Sequence, residues 1–319
     1  SIIVVDKYRN QKSDPDSKQK NIKSDVKSKN EEVKKSKSRE FVDALIYAGV
    51  VAFIIKILFF EAFRIPTGSM EKTLMVGDFL LVTKFTYGAT SPRNIPFTDI
   101  RLPYFQLPGF KDPKKGDIIV FDFPGDRDDL ESKEVVNYIK RCVATPGDTL
   151  QIIDKKLYVN GQIFPNPPNS QFDNVKRPQN FVNPRMFPKG SSWNEDWYGP
   201  IRVPKKGDKL KIDSSNYEGW KMFVMKEGHS IKMTSDRKVL VDDKELPNSE
   251  YTVERDYLFM MGDNRNNSLD SRFWGFMPVD NIVGEALMIY WSWDPSISFL
   301  NFFDLIGTTR WERIGTMIR

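Results

Sequence analysis

The chain has 319 residues, 39% of them hydrophobic, with 20 proline and 19 glycine residues, which suits a packed, β-rich core with many short connections. Its net charge of +5 lies in the first 40 residues, where 12 Lys and Arg residues outnumber 7 Asp and Glu residues. The neutral remainder gives no sign of a nucleic-acid-binding surface. The single cysteine, Cys142, excludes an intramolecular disulfide and a multi-cysteine zinc site, and we expect it to be a buried small hydrophobe.

The first segment of the chain, residues 1–40, is rich in Lys, Ser, Asp, Gln and Asn and has few large apolar residues. Such a composition cannot bury enough surface to fold alone. We therefore expect a basic, disordered tail.

An apolar segment follows the tail. Residues 44–60 are 17 residues that are hydrophobic apart from Lys56, and as a helix they span roughly 26 Å. With their flanks they predict one transmembrane anchor over 41–63. A removable signal peptide is the alternative, but no small-x-small cleavage site follows. Residues 23–40 carry seven Lys and Arg and residues 61–80 carry two, which predicts a cytoplasmic N-terminus and an exported remainder.

Short apolar runs bounded by turn residues predict strands along most of the exported part. They lie at residues 80–85, 117–123, 138–145, 149–153, 156–159, 209–212, 222–225, 239–241, 256–261 and 282–291. The aromatic, proline-rich connection 87–110 suits either core packing or docking at a membrane surface. The only histidine, His229, is expected in an exposed turn between strands.

A candidate nucleophile, Ser69, stands in the Pro/Gly-punctuated turn Arg64-Ile65-Pro66-Thr67-Gly68-Ser69-Met70, just after the apolar segment. Gly-Ser in a turn is ordinary, and most such serines have no catalytic role. A serine here becomes a nucleophile only if another group removes its proton and the oxyanion is stabilised.

A candidate base is Lys140, which lies inside a predicted strand and shares a face with Tyr138, Cys142 and Ala144. Taken alone, such a lysine is more often an edge-strand residue that prevents aggregation. A chain with almost no histidine needs another base for a serine, and burial lowers the pKa of a lysine by up to 3–5 units. Lys140 then supplies a neutral amine near neutral pH.

A third polar segment runs from Gly262 to Gly275. It reads as a loop after a strand, but its Asp, Arg and Ser residues are unusually dense. We expect Asp270 and Arg272 to form an internal ion pair, and Ser268 to hydrogen-bond and orient the lysine amine.

Together these segments resemble the motifs of bacterial type I signal peptidases, a family of membrane-anchored Ser/Lys enzymes. The resemblance covers most of the core in the family's order. It rests on residues 63–70 with Leu74, Gly77 and Asp78, on residues 115–121, on Ile139-Lys140-Arg141 with Pro146-Gly147-Asp148, and on residues 262–275.

The resemblance implies a role for each matching residue. Ser69 would be the nucleophile and Lys140 the general base. The Ser69 amide and the Thr67 hydroxyl would form the oxyanion hole. Ser268 would assist Lys140, while Asp270, Arg272 and Gly262 would support the loop.

The resemblance also implies a mainly β fold: an antiparallel β catalytic domain over 64–149 and 255–319, with a variable β-rich subdomain inserted over 150–254. The implied activity is removal of N-terminal signal peptides from exported preproteins after Ala-x-Ala-type sites, through an acyl-enzyme and with no cofactor or metal. The enzyme would act at the bacterial inner membrane, with its catalytic domain on the extracytoplasmic face and with preproteins and the phospholipid bilayer as partners.

Three other functions remain possible. A self-cleaving Ser/Lys repressor would use the same chemistry, but a repressor would normally carry a helix-turn-helix. A catalytically dead, membrane-tethered binding protein would keep the fold without needing the serine. An organellar processing peptidase is a further possibility.

Overall fold

The computed structural model describes residues 37–88, 108–130, 132, 136–297 and 301–319. Residues 1–36 of the expected tail 1–40 lie outside the described residues. Residues 89–107 of the connection 87–110 also lie outside them. The chain divides into two compact units, one ending at Ile54 and one from Ile55 to Arg319.

Strands make up most of the regular structure. In chain order, the strands of the described residues are β1 Phe60–Arg64, β2 Asp78–Thr83, β3 Ile118–Asp122, β4 Asn137–Ala144, β5 Thr149–Ile153, β6 Lys156–Val159, β7 Gln162–Ile163, β8 Tyr198–Arg202, β9 Lys209–Lys211, β10 Ile231–Met233, β11 Val239–Val241, β12 Lys244–Glu245, β13 Glu250–Thr252, β14 Tyr257–Met261, β15 Met277–Pro278 and β16 Ile282–Ser292. The α-helices are α1 Lys37–Phe59, α2 Tyr217–Lys226, α3 Ser271–Trp274 and α4 Phe302–Gly307, and 3₁₀ turns occur at Gly68–Met70, Pro247–Ser249, Val279–Asn281 and Trp311–Arg313.

The segment expected to be a membrane anchor divides between α1 and β1. Residues 60–63 pair with β2 instead of continuing the helix. Within the described residues, no helix is both long enough and apolar enough to cross a membrane. The transmembrane helix predicted over 41–63 is therefore not confirmed.

One seven-stranded sheet forms the largest layer, in the order β1-β2-β16-β3-β4-β14-β15, with antiparallel neighbours throughout. Four of the five residues of β3 are buried, because both faces of this strand are covered by hydrophobic clusters. β4 lies between β3 and β14, so Lys140 projects from an interior strand. The predicted mainly antiparallel β fold is confirmed.

Three smaller sheets come from the strands between residues 149 and 252. The β5–β6 hairpin turns through Asp154 and Lys155, both with positive φ, and matches the predicted strands at both ends. One hydrophobic cluster joins residues on both sides of the predicted boundary at 150, including Val143, Leu150 and Phe259. The division into a catalytic domain and an insertion stays a prediction.

One predicted strand is wrong: residues 222–225 belong to helix α2. The buried residues Tyr217, Phe223 and Val224 recur at helical spacing, with half-buried Trp220 between them. The short apolar run alone did not distinguish a strand from a helix. His229 consequently follows a helix and does not lie between two strands, and it is half-buried, not fully exposed.

Candidate active site

Ser69 lies on the 3₁₀ turn that follows β1. The ends of this segment are joined because the Ile65 amide donates to the Asp78 carbonyl at 2.9 Å and the Gly77 amide donates to the Ile65 carbonyl at 3.0 Å. The neighbouring side chain of Met70 is 1% exposed and anchors the turn in the core. The backbone hydrogen bonds and the buried Met70 side chain thus hold Ser69 in a fixed position against the sheet.

Lys140 meets Ser69 directly. Its position in β4, opposite Ile119 of β3, directs the side chain toward the turn. Nζ lies 2.8 Å from Ser69 Oγ and donates a second hydrogen bond to the Ile139 carbonyl at 3.0 Å. Two residues separated by 71 positions in the sequence therefore form the hydrogen-bonded pair that a nucleophile and its base require.

The surroundings of Lys140 favour its neutral form. The residue is 4% exposed, Ile119 beside it is fully buried, and the Tyr138 ring lies 5.2 Å from Nζ. Burial lowers the pKa of Lys140 from 10.5 to about 8, and the negative charge of Asp270 opposes part of that shift. About one tenth of the amine would be neutral at pH 7, against about one part in three thousand at a pKa of 10.5.

Two hydrogen-bond donors lie at the start of this turn, the backbone amide of Ser69 and the hydroxyl of Thr67. Ser69 is the second residue of its 3₁₀ turn, where backbone amides have no acceptor within the helix. Thr67 has extended backbone angles (φ −132°, ψ 155°), and its hydroxyl makes no capping hydrogen bond. The Ser69 amide and the exposed Thr67 hydroxyl are thus free of capping contacts.

Gly262 and Ser268 lie against the serine from the loop that follows β14. A Cβ added to Gly262 would lie 2.5 Å from the Ser69 carbonyl oxygen and 2.6 Å from Ser268 Cβ, so only glycine permits this approach. The expected hydrogen bond from Ser268 to Lys140 is not formed. Within the described part of the chain, the buried Ser268 Oγ makes no hydrogen bond of ordinary geometry, although it lies close enough to the Asp270 carboxylate to help lower the pKa of that group.

The expected ion pair of the loop is present. Arg272 donates from Nε and Nη2 to the two carboxylate oxygens of Asp270, each at 2.8 Å, and both residues are at most 2% exposed. Burial alone would raise the pKa of Asp270, but the Arg272 guanidinium outweighs it and holds that pKa below its usual value. Asp270 also accepts from the Gly262 amide at 3.2 Å, which links the pair to the close approach beside Ser69.

A second buried ion pair was missed at the sequence level. Arg141 donates to both carboxylate oxygens of Asp263, at 2.9 and 2.7 Å, and Thr73 Oγ1 donates to the same carboxylate at 2.7 Å. Both charged residues lie in segments on which the family resemblance rests. Because side chains alternate along a strand, Arg141 points to the opposite face from Lys140, and this alternation was the signal available in the sequence. The pair ties β4, the loop and the segment after Ser69 together.

Asn264 and Arg313 also hold the serine segment. The Asn264 amide donates to the Ser69 carbonyl at 3.1 Å, and its side chain donates to the Gly68 carbonyl at 3.0 Å. Arg313 donates to both oxygens of the fully buried Asp78, at 3.0 and 2.6 Å, and to the Thr73 carbonyl at 3.1 Å. Nothing in the sequence pattern indicated that a residue near position 313 would reach this segment.

Cys142 is a buried free thiol, as predicted, and burial raises its pKa above the ordinary range. Within the described residues, no three His, Cys, Asp or Glu side chains are grouped to hold a metal ion.

Comparison with known proteins identifies the family. The family model described as "Signal peptidase, peptidase S26" matches residues 38–291. Signal peptidase I of Buchnera aphidicola subsp. Acyrthosiphon pisum (strain APS) is 34% identical over 248 residues, which are 76% of this chain and 71% of that protein. Signal peptidase I of Pseudomonas fluorescens is 31% identical over 271 residues, which are 81% of this chain and 74% of that protein.

A solved signal peptidase I from Enterococcus faecalis V583 is more distant: it has 19% sequence identity and a TM-score of 0.25, and the match covers 55% of this chain and 97% of that one. That similarity is too low to define the fold. The sequence relationships are sufficient, because the family model covers most of the chain. The chain belongs to the signal peptidase family, peptidase S26, and is a peptidase.

Proposed function

We propose that this peptidase is a serine endopeptidase that removes N-terminal signal peptides from exported preproteins, with Ser69 as nucleophile and Lys140 as general base. The observation that carries the proposal is the 2.8 Å separation of Lys140 Nζ and Ser69 Oγ in a buried setting. A lysine base needs a depressed pKa, and burial lowers that of Lys140 to about 8.

The reaction proceeds in two stages. In acylation, the neutral Lys140 amine takes the Ser69 hydroxyl proton, and Oγ attacks the carbonyl carbon of the scissile bond. The resulting ammonium gives that proton to the departing amine of the mature protein. In deacylation, Lys140 takes a proton from the water that attacks the ester and gives it to Ser69 Oγ as the ester bond breaks. The signal peptide leaves as a carboxylic acid, which loses its proton to solvent.

The Ser69 amide and the Thr67 hydroxyl stabilise the oxyanion that forms in each stage. Both lie at the start of a 3₁₀ turn, and the turn makes no internal use of them. Loss of one such donor costs about 10²–10³ in kcat in other serine enzymes. Asp270, Arg272 and Gly262 support the loop beside this site, and Ser268 assists Lys140 once substrate tightens the contacts.

The cleavage specificity follows from the family resemblance. Substrates would carry small side chains, of the Ala-x-Ala type, at the first and third positions before the cut. An extended substrate strand supplies backbone hydrogen bonds and places alternate side chains in the same direction, so that two shallow pockets read both positions.

Membrane attachment is part of the same proposal. In the described part of α1, Phe41, Leu45, Ile46, Tyr47 and Val50 each expose more than half of their surface. Exposed apolar side chains in such number suit a lipid environment. The enzyme would be held at the bacterial cytoplasmic membrane, with its N-terminus in the cytoplasm and residues beyond 64 outside.

Co-flotation of the full chain with phospholipid vesicles tests membrane attachment. A chain that remains at the bottom of the gradient would refute attachment.

Cleavage by purified variants tests the catalytic assignment. The full chain in detergent would be incubated at pH 9 with a preprotein whose signal peptide ends in Ala-x-Ala. Ser69→Ala should abolish cleavage, and Lys140→Met should lower kcat by about 10²–10⁴-fold. Ser214→Ala and Lys156→Met, which alter exposed residues away from the site, serve as matched controls. Equal cleavage by Ser69→Ala would refute Ser69 as the nucleophile, and absence of cleavage by the wild-type chain would favour the binding-protein alternative.

A further inference from the structure

The loop that follows β14 has a second neighbour besides the serine segment. On one side, the Asn264 amide donates to the Ser69 carbonyl at 3.1 Å. On the other side, the Asp263 carbonyl accepts from the Gln171 amide at 2.8 Å, and the Arg265 amide donates to the Gln171 carbonyl at 2.9 Å. Gln171 and Asn264 thus form a parallel β-bridge. The loop therefore lies like a central strand, with the serine at one edge and Gln171 at the other.

The two residues after Gln171 contact the same loop. The Phe172 ring centre lies 5.8 Å from the guanidinium carbon of Arg265, which is 3% exposed. A ring contact with a cation stabilises more when the cation is shielded from water. The Asp173 amide donates to Asn266 Oδ1 at 3.1 Å. Residues 171–173, which we call the strap, therefore contact the loop at every position.

The strap is also bound to the β5–β6 hairpin. Asp173 accepts from Lys155 Nζ at 2.8 Å and from Arg177 Nη2 at 3.0 Å. Lys155 Nζ donates in addition to the Asp173 carbonyl at 2.8 Å and to the Val175 carbonyl at 2.6 Å. Several charges joined in one network hold a segment better than an isolated exposed pair does. The strap thus connects the loop to a hairpin that lies outside the active site.

The loop passes this support to the nucleophile. Besides the Ser69 carbonyl, Asn264 binds the Gly68 carbonyl through its side chain at 3.0 Å. Both carbonyls belong to the 3₁₀ turn that places Ser69 Oγ 2.8 Å from Lys140 Nζ. Since Lys140 projects from β4, a shift of the loop would move the nucleophile relative to its base. A misplacement of 1 Å can cost about 10²-fold in rate.

We propose that the strap positions the nucleophile: Gln171, Phe172 and Asp173 hold the loop against the serine segment and so fix Ser69 relative to Lys140. They are positioning residues, which act through the loop and not by contact with the substrate. The inference gives part of the region 150–254, predicted to be a variable insertion, a role in the rate of the reaction. It rests on the proposed signal-peptidase function.

Substitutions at Asn266 test the contact between the strap and the loop. Asn266→Ala removes the oxygen that accepts from the Asp173 amide, and Asn266→Asp keeps an acceptor there. The full chain in detergent would cleave an Ala-x-Ala preprotein, and kcat would be corrected for the folded fraction measured by urea unfolding. Asn266→Ala should lower kcat about threefold to thirtyfold and leave KM within about twofold, because a small displacement forfeits part of the catalytic positioning.

Asn266→Asp should recover most of this kcat. Asn169→Ala, which shortens an exposed side chain two residues before the strap, is the matched control and should cleave like the wild type.

Asp173→Asn tests the far side of the strap without altering the loop. The substitution weakens the pairs with Lys155 and Arg177 but keeps the amide that binds Asn266, so kcat should fall by less than in Asn266→Ala. Asp243→Asn makes the same change in an exposed pair with Lys232 and should keep the wild-type kcat. The pH at half-maximal rate should not move in Asp173→Asn or Asn266→Ala.

The outcomes separate this inference from the proposed function. A wild-type kcat in Asn266→Ala, or a rise in KM alone, would overturn the positioning role, as would an Asn266→Asp chain that cleaves no faster than Asn266→Ala. A shifted pH midpoint would mean that the strap acts on the base, which also contradicts the proposal. Each of these results leaves the proposed function intact. If the wild-type chain does not cleave the preprotein, the proposed function fails and this inference fails with it.

Discussion

At the scale of single residues, Lys140 is placed where burial and charge act in opposite directions. Burial destabilises its ammonium form, whereas the buried Asp270 carboxylate stabilises it. Arg272 pairs with Asp270 through both carboxylate oxygens and so limits the charge that Lys140 experiences.

Gly262→Ala tests the close approach beside the serine. The added methyl would overlap the Ser69 carbonyl and Ser268, so we expect destabilisation of about 1–3 kcal/mol by overpacking and a loss of cleavage larger than the loss of folded protein. Gly307→Ala is the matched control, because its Cβ would enter open space. Wild-type cleavage and stability in Gly262→Ala would show that the loop does not approach the serine this closely.

His229 should make stability depend on pH. Nδ1 lies 2.6 Å from Asp242 and Nε2 lies 2.9 Å from Glu254, while the Tyr251 ring packs beside it. The hydrogen bond to Asp242 is the largest cause that raises the pKa of His229. A raised pKa gives stabilisation that is complete below the unfolded pKa of about 6.5 and is lost as pH rises through the folded pKa.

Urea unfolding of wild type and His229→Gln between pH 5 and 9 measures this effect. The difference in unfolding free energy should be largest at acidic pH and shrink at alkaline pH. A difference that is constant across the range would mean that protonation of His229 does not contribute.

At the scale of elements, β4 carries the two neighbouring residues that organise the site on opposite sides. Lys140 faces the serine, and Arg141 faces Asp263 of the loop. Removing one member of a buried pair leaves an uncompensated charge, so Asp263→Ala should lower the unfolding free energy by about 3–5 kcal/mol. Arg141→Met/Asp263→Leu should lose less than Asp263→Ala. An equal or greater loss in the double variant would argue against an uncompensated charge as the cause.

The 3₁₀ turn Trp311–Arg313 acts on the serine segment through Asp78. Arg313→Gln should loosen residues 70–78 and lower kcat, and Arg313→Lys should recover part of the activity because it keeps the charge without the two-point contact. The pH at half-maximal rate should not move, since Lys140 is untouched. Arg237→Gln, at an exposed turn, is the control. A shifted pH midpoint would mean that Arg313 acts on the base.

Alternating and continuous apolar runs predicted most of the strands. β5, β6 and β11 begin and end at the predicted residues, because turn residues mark both of their ends. The strand predicted over residues 222–225 is wrong because four consecutive apolar residues suit a buried strand and a buried helix equally. The buried residue Tyr217, whose spacing from Phe223 and Val224 indicates a helix, lies outside that run. Residues 60–63 were assigned to a helix because their apolar character continues that of α1, whereas pairing with β2 decides their conformation.

At the scale of the whole molecule, the site is assembled from distant segments. The sequence motifs predicted Ser69, Lys140 and the Asp270–Arg272 pair, because each residue type has a distinct chemical use. They did not predict the Arg141–Asp263 pair, the Asn264 contacts or the reach of Arg313 to Asp78. These contacts depend on which strands become neighbours, and that order, with β16 between β2 and β3, follows from packing of the complete sheet.

The pH dependence of kcat/KM for wild-type cleavage between pH 6 and 10.5 tests the central claim most directly. The proposed base acts as a neutral amine, so the rate should rise with pH, reach half its maximum near the Lys140 pKa of about 8 and then level off. A half-maximum near 10.5, or a rate that does not change over this range, would contradict Lys140 as the base of the reaction.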